Sequence, residues 1–234
     1  MRLFIVRHGD PDYASDGLTN AGKKEAQALA KRMLRLAPDR LYTSPKGRAR
    51  ETARYTEEAL GKTAEVLDWT REISEWTTEQ PPFGRLMAWD TPAETLRALG
   101  PNPDVEKLQT IPPLSRLNLG ERFGAVARES DSFLEGLCFK REGVRYRVLK
   151  PSREKVVVFC HGGFGLAWLS HLLQIPPGLV WASFWLAPAS VTTILMDERF
   201  PSWASPRCVG LCDVSHLYAE GLPVTPHGLK ANVE

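Results

Sequence analysis

Two short runs along the chain are apolar at every position: Leu3-Phe4-Ile5-Val6 and Val156-Val157-Val158-Phe159. A strand with no polar face belongs deep in a sheet covered on both sides, so each run predicts such a strand. Elsewhere the period becomes helical. Ala26, Leu29, Ala30, Met33 and Leu34 fall on one stripe after Thr19, a residue suited to capping, while Lys23, Lys24, Lys31 and Arg35 line the other side. A second stripe, Ala49, Thr52, Ala53, Thr56 and Leu60, predicts a helix starting near Lys46, just after a short strand at 40–43 closed by Ser44-Pro45. Residues 64–67, 191–196 and 208–214 predict further strands. Residues 123–137 predict a helix, and 165–173, apolar nearly all round, a buried one. Strands alternating with helices predict an α/β protein with a mostly parallel sheet between two helical layers.

The pattern breaks between residues 77 and 115. This stretch holds Pro81, Pro82, Pro92, Pro101, Pro103, Pro112 and Pro113, seven of the 18 prolines, so long helices and central strands are excluded there. It is too long for an ordinary connector, and is either a lid over a site or a surface insertion without a role. Trp76, Phe83, Arg85, Trp89 and Arg97 either line an aromatic, basic mouth or serve as packing and solvated surface.

Composition narrows the function classes. With 43% hydrophobic and 25% charged residues over 234 positions, the chain is neither disordered nor disulfide-dense. Lys plus Arg is 30 against 28 for Asp plus Glu, a net charge of +2, which offers no broad field for nucleic acid or a membrane surface. An anion would have to be met by a local cluster of arginines. No apolar run approaches a membrane span, and the short run at the N-terminus does not suit a secretory signal, so a cytoplasmic location is expected. Four cysteines make no disulfide framework. Cys208, Cys212 and His216 recur at intervals of four, but this is not a zinc spacing and no fourth ligand follows. We expect Cys208 and Cys212 to share a buried strand face, with no metal and no cofactor.

The two apolar runs end alike. The first leads into Arg7-His8-Gly9 and the second, one residue later, into His161-Gly162-Gly163. Ligands of open α/β sheets bind beyond the carboxyl ends of the strands. If the two strands are neighbours, His8 and His161 face one crevice, and the glycines let backbone N–H groups approach a ligand. An arginine flanking a core strand, as Arg7 does, needs an anion or a carboxylate. Arg48 falls in the first turn of its helix, where a cation is disfavoured unless an anion sits between. Guanidinium forks match phosphate oxygens in pairs.

Taken in order, Arg7-His8-Gly9, Leu18-Thr19 with Gly22, Ser44-Pro45 with Arg48-Ala49 and Thr52-Ala53, Arg71-Glu72, and His161-Gly162-Gly163 resemble the histidine phosphatase superfamily, the phosphoglycerate mutase-like enzymes. Ser215-His216-Leu217 also looks familial. The resemblance implies a single domain over 1–234, a three-layer α/β/α sandwich, with 77–115 as its insertion. It implies that His8 takes the phosphoryl group, that Arg7, Arg48 and His161, with Gly162, hold its oxygens, and that Glu72 donates the proton. Glu75 and Glu79 lie near enough in sequence to compete for that last role. The implied activity is metal-independent hydrolysis of a small phosphomonoester through a phosphohistidine. The alternatives are mutase-type transfer and silent phospho-ligand binding. The mutase members carry Glu-Ser after the triplet, then Trp-Asn, and Arg-His-Tyr after the acid; here the sequence reads Asp10-Pro11-Asp12-Tyr13 and Ile73-Ser74-Glu75-Trp76, which favours hydrolysis. Asp10 either contacts substrate or caps a turn, and His216 is a minor candidate for the site. Cys160 is expected to be a buried hydrophobe and His171 structural. The ester itself and the oligomeric state are not legible.

Overall fold

The computed structural model describes residues 1–200 and 202–229. Its main sheet has eight strands: β1 (Arg2–Arg7), β2 (Arg40–Thr43), β3 (Glu65–Val66), β4 (Phe139–Glu142), β5 (Arg145–Val148), β6 (Lys155–Cys160), β7 (Val191–Phe200) and β8 (Trp203–Asp213). They lie side by side in the order β3-β2-β6-β1-β7-β8-β5-β4. The first four are mutually parallel, whereas the remaining neighbours pair antiparallel, so β7 and β5 run against the rest. The two all-apolar runs are adjacent central strands, paired in register from Arg2 with Lys155 to Arg7 with Cys160.

Alternate residues of these strands enter two separate cores. Phe4, Val6, Val157 and Phe159 meet Leu29, Met33 and Ala53 from α1 (Asn20–Leu36) and α2 (Gly47–Leu60). Leu3, Ile5, Val156 and Val158 face the larger core built with α3 (Leu119–Gly136), α4 (Gly162–Leu173) and α5 (Pro177–Ser183). The expected three layers follow from this double burial. Trp168 of α4 is enclosed, donates from its indole N–H to Ser130 at 2.8 Å, and stands edge-on to Trp69 at 5.1 Å. Emptying such a site costs about 3–5 kcal/mol.

Thr19 caps α1 as expected, its hydroxyl accepting from the Gly22 N–H at 3.0 Å. The helix at 123–137 starts four residues earlier, at Leu119, and the strand at 64–67 shrinks to two residues. The hairpin of β4 and β5 and the helix α5 were not foreseen. Residues 77–115 form a hairpin (Thr77–Glu79 with Arg85–Met87) and short helices at Ala93–Arg97, Val105–Leu108 and Pro112–Ser115. Trp76, Ala88, Leu96, Leu108 and Leu114 belong to the same core as Leu3 and Ile5. The excursion is therefore packed onto the sandwich rather than hung over it. Trp76 is core, Phe83 and Arg85 are exposed, and Arg97 reaches Ser183 at 3.0 Å. Trp89 approaches the crevice described below, against Gly163, and Trp76 lines the cleft beside it.

Cys208 and Cys212 do lie on one face of β8, but half-buried, because β8 pairs with β7 through irregular register and Cys212 takes a positive φ of 50°. His216, in a short helix α6 (Ser215–Ala219), packs with Arg32 and Asp213 and not with these thiols. Among the described residues no group of three or more His, Cys, Asp or Glu could hold a metal ion. No helix among them is long and apolar enough to cross a membrane.

Candidate active site

Three parallel strand ends meet at one point. Because Arg7 is in register with Cys160, His8 and His161 are the next residues on their strands, and the His8 N–H donates to the Cys160 carbonyl at 3.0 Å. Beyond β2, the Ser44 N–H donates to the Phe159 carbonyl at 2.8 Å, so Ser44 lies on the far side of His161. The imidazoles of His8 and His161 stand edge to face with centroids 5.1 Å apart. Both are buried.

A hydrogen bond to a carbonyl fixes the tautomer of His8. His8 Nδ1 is 2.7 Å from the Gly9 carbonyl, which can only accept, so Nδ1 carries the proton. The lone pair is then on Nε2, where Arg48 Nε–H donates at 3.2 Å. Ser44 Oγ accepts from the Lys46 N–H at 3.3 Å and is hydrogen-bonded to His161 Nε2 at 2.8 Å. His161 Nδ1 is buried and has no protein partner. Burial, reinforced by the charges of Arg7 and Arg48, holds the pKa of His8 well below the usual histidine range. Burial and the neighbouring His8, Arg48 and Arg7 do the same to His161. Both rings are neutral at pH 7, and His8 Nε2 is available as a nucleophile.

Two arginines flank the rings. Arg7 is 7% exposed, and its Nη1 donates to the carbonyls of Leu186 and, at 3.2 Å, of His227. Its Nε is buried without a protein partner, on the side facing Gly162. Arg48, equally buried, holds Asp16 through Nη1 at 2.6 Å. Burial alone would raise the Asp16 carboxyl, but the Gly47 N–H and the Arg48 guanidinium outweigh it and hold the carboxyl below its ordinary range. The site thus keeps more positive charge than it neutralises, with the buried Arg7 Nε–H and His161 Nδ1 unmet.

Glu72 reaches the crevice from the loop before the excursion. Its Oε1 accepts from the N–H groups of Phe164 at 2.9 Å and Ile73 at 3.1 Å, and Oε2 from Gly163 at 3.4 Å. Burial raises its pKa, against the pull of those N–H groups and of Arg48 and Arg7. Of its sequence competitors, Glu75 lines the cleft beside Glu72. Glu75 is exposed and pairs with Arg122 at 3.5 Å, and Glu79 is exposed on the hairpin.

Some expectations need correction. Gly9 and Gly163 do not offer their N–H groups to a ligand, because Gly9 donates to Thr52 Oγ1 at 3.0 Å and Gly163 to Glu72. What Gly163 does provide is space: a Cβ there would lie 2.5 Å from the Trp89 ring. Asp10 accepts from the Thr19 hydroxyl at 2.7 Å and so closes a turn. Cys160 is fully buried, its thiol pushed far up by desolvation, and is no nucleophile. Tyr13, Asp16, Ser44 and His227 reach the site without having been singled out for it. A polar residue soon after the triplet was the available signal for Asp16; nothing in the sequence marks His227.

Beside Glu72 a cleft of about 430 Å³ opens between Lys46, Trp69, Arg71, Trp76 and Arg122.

The model of the histidine phosphatase superfamily (branch 1) matches residues 3–207. No curated protein matches the chain. Among solved structures, a mutant phosphoserine phosphatase from Entamoeba histolytica in complex with phosphoserine is similar at 16% identity and TM-score 0.61, over 92% of this chain and 98% of that one. A mycobacterial glucosyl-3-phosphoglycerate phosphatase in complex with inorganic phosphate is 22% identical, TM-score 0.59, over 92% and 98%. The Bacillus stearothermophilus protein YhfR is 18% identical, TM-score 0.57, over 92% and 98%. Paired strand-end histidines between two arginines, on a sheet of this order and under a family match spanning most of its length, mean that the chain belongs to the histidine phosphatase superfamily, branch 1.

Proposed function

We propose that the protein, acting as one domain, hydrolyses a small phosphomonoester through a phosphohistidine on His8 Nε2. The observation that carries this reading is the tautomer of His8: Nδ1–H is spent on the Gly9 carbonyl, so the lone pair of Nε2 lies beside Arg48, near the unmet Arg7 Nε–H and His161 Nδ1. In the first step Nε2 bonds to phosphorus and the ester P–O bond breaks. Its electron pair goes to the leaving oxygen, which takes the proton of Glu72. In the second step water attacks phosphorus, gives its proton to Glu72, and the P–N bond breaks to return neutral His8 and inorganic phosphate. Splitting one displacement in two lowers each barrier. Arg7, Arg48 and His161 meet the charge spread over the equatorial oxygens.

Desolvation supports Glu72 as the acid, because a carboxyl with a raised pKa keeps its proton nearer to neutral pH. The leaving alcohol would then extend into the cleft beside Glu72, over Trp69 and Trp76, between Lys46, Arg71 and Arg122. That cleft suits a small polar alcohol. Phosphoserine and 3-phosphoglyceric acid, bound by the Entamoeba enzyme, are of this size. The arginines supply the charge neutralisation that metal ions give elsewhere, so activity is expected to persist in a strong chelator. The test is a panel of phosphomonoesters, read by phosphate release and by trapping an acid-labile, base-stable phosphoenzyme. Absence of any such phosphoenzyme, or EDTA inactivation reversed by zinc or magnesium, would overturn the mechanism.

A further inference from the structure

Residues 222–229 come back from the far end of the chain to the catalytic crevice. Their contacts there reach Arg7, Asp10 and Tyr13, and Glu25 of α1. The Thr225 hydroxyl donates to Glu25 Oε1 at 2.7 Å, and Glu25, 2% exposed, uses its other oxygen to accept from the Asp10 N–H at 2.7 Å. The His227 carbonyl accepts from Arg7 Nη1 at 3.2 Å. The His227 ring sits with Nδ1 3.4 Å from Asp10 Oδ1 and its centroid 5.4 Å from that of Tyr13. Tyr13 in turn lies under the Arg48 guanidinium, 5.3 Å from ring centre to Cζ. A bridge therefore runs from Arg7 through His227 and Tyr13 to Arg48, over the pocket of His8.

The consequence for Arg7 is geometric. A guanidinium is a rigid fork, and acceptors on one nitrogen fix where the others point. With the Leu186 and His227 carbonyls both on Nη1, the buried, unmet Nε is held on the Gly162 side, where the phosphate pocket lies. Glu25 joins this bridge to the loop after His8, since one carboxylate ties Asp10 to Thr225.

We propose that residues 222–229 form a working wall of the phosphate pocket, in which His227 is a positioning residue that sets Arg7 through its carbonyl and the entry loop through its ring, and Thr225 is the latch. The proposal rests on the phosphatase reading above. It assigns no chemistry to His227, which acts through Arg7, Asp10 and Tyr13.

The test compares Thr225→Val and His227→Ala with the wild-type chain. Inorganic phosphate affinity is read by calorimetry, His8 phosphorylation by rapid quench, and folding by thermal denaturation. Thr225→Val should weaken phosphate binding about tenfold, the scale of one misaligned charge-assisted hydrogen bond. His227→Ala keeps the carbonyl and should weaken it less, about threefold, by freeing the entry loop. The decisive arm repeats Thr225→Val in an Arg7→Ala background. If the latch acts through Arg7, its tenfold effect should vanish there; a merely structural latch would cost the same in both backgrounds and overturn the proposal. Wild-type phosphate affinity in both variants would also overturn it. Should Thr225→Val fail to fold, Glu25→Gln, which keeps the size and one acceptor, carries the same cycle. A wild-type chain that binds no phosphate and releases none from any ester would instead fell the phosphatase reading itself, and the proposal with it.

Discussion

Two of the clusters that combine arginine, histidine and a carboxylate in this protein behave in opposite ways. At the far side of the sandwich, Asp131 Oδ1 accepts from Arg141 Nε at 2.7 Å and from His171 Nε2 at 2.8 Å, and the Tyr146 hydroxyl joins them at 3.3 Å. Arg141 also lies over the Tyr146 ring at 4.4 Å. Burial would raise the Asp131 carboxyl, but His171 and Arg141 outweigh it and hold it low. The His8 cluster has two arginines and no carboxylate placed between them and the rings. Its histidines are driven well down in pKa, its acid is raised, and Arg7 Nε and His161 Nδ1 stay unmet. A cluster whose charges and donors cancel stabilises the fold. One left short of an anion is built to receive it.

Substitutions can break this contrast. The largest effect is expected from His8→Ala, which should reduce phosphate release below detection and abolish the trapped phosphoenzyme while the thermal transition persists; substantial residual turnover through a phosphoenzyme would move the nucleophile elsewhere. Glu72→Gln keeps the size and removes the proton. It should slow phosphorylation by alkyl phosphates about 10²–10⁴-fold and hardly at all by nitrophenyl phosphate, whose leaving group needs no acid. In the wild type the alkyl reaction should fail as pH rises through the Glu72 pKa, which burial displaces upward, and the nitrophenyl reaction should not share that alkaline limb. Equal slowing of both esters in rapid-quench experiments would remove Glu72 from the acid role.

Arg48→Ala should slow phosphorylation by both ester types about 10²–10³-fold, because it acts on the phosphoryl group and not on the leaving oxygen. The smallest catalytic effect is expected in the satisfied cluster. Asp131→Ala leaves Arg141 and His171 without their shared acceptor and should cost about 1–3 kcal/mol of stability. In a chain of this length that lowers Tm by about 2–4 °C per kcal/mol. Its kcat/KM should stay within about twofold of wild type, since nothing in that cluster approaches the crevice. A large catalytic loss without a loss of stability would show that the two clusters are coupled.

Much of this arrangement is written locally in the chain. The runs at Leu3 and Val156 are apolar throughout because both faces of their strands are covered, and that alone makes them central. His8, His161, Arg7 and Arg48 could be marked in advance because each directly follows or ends a strand, or opens a helix after one. Side chains there project from a rigid edge, so their sequence position already fixes their place in the fold. Glu72 could be named only beside Glu75 and Glu79, since a loop carries no such constraint. In the folded chain Glu72 accepts from the N–H groups of Gly163 and Phe164, some ninety residues away.

What sequence alone determined is the double-sided sheet, the capped helix at Thr19, and the strand ends that bring two histidines and two arginines together. These depend on periodicity and short-range geometry. Tertiary structure alone decided which way the His8 ring carries its proton, that residues 77–115 pack into the core, that the glycine N–H groups serve Thr52 and Glu72, and that His227 returns to Arg7. Those outcomes rest on single hydrogen bonds and contacts between residues far apart in the chain. Such pairings leave no local period to read, because their energy exists only once the backbone has closed the distance.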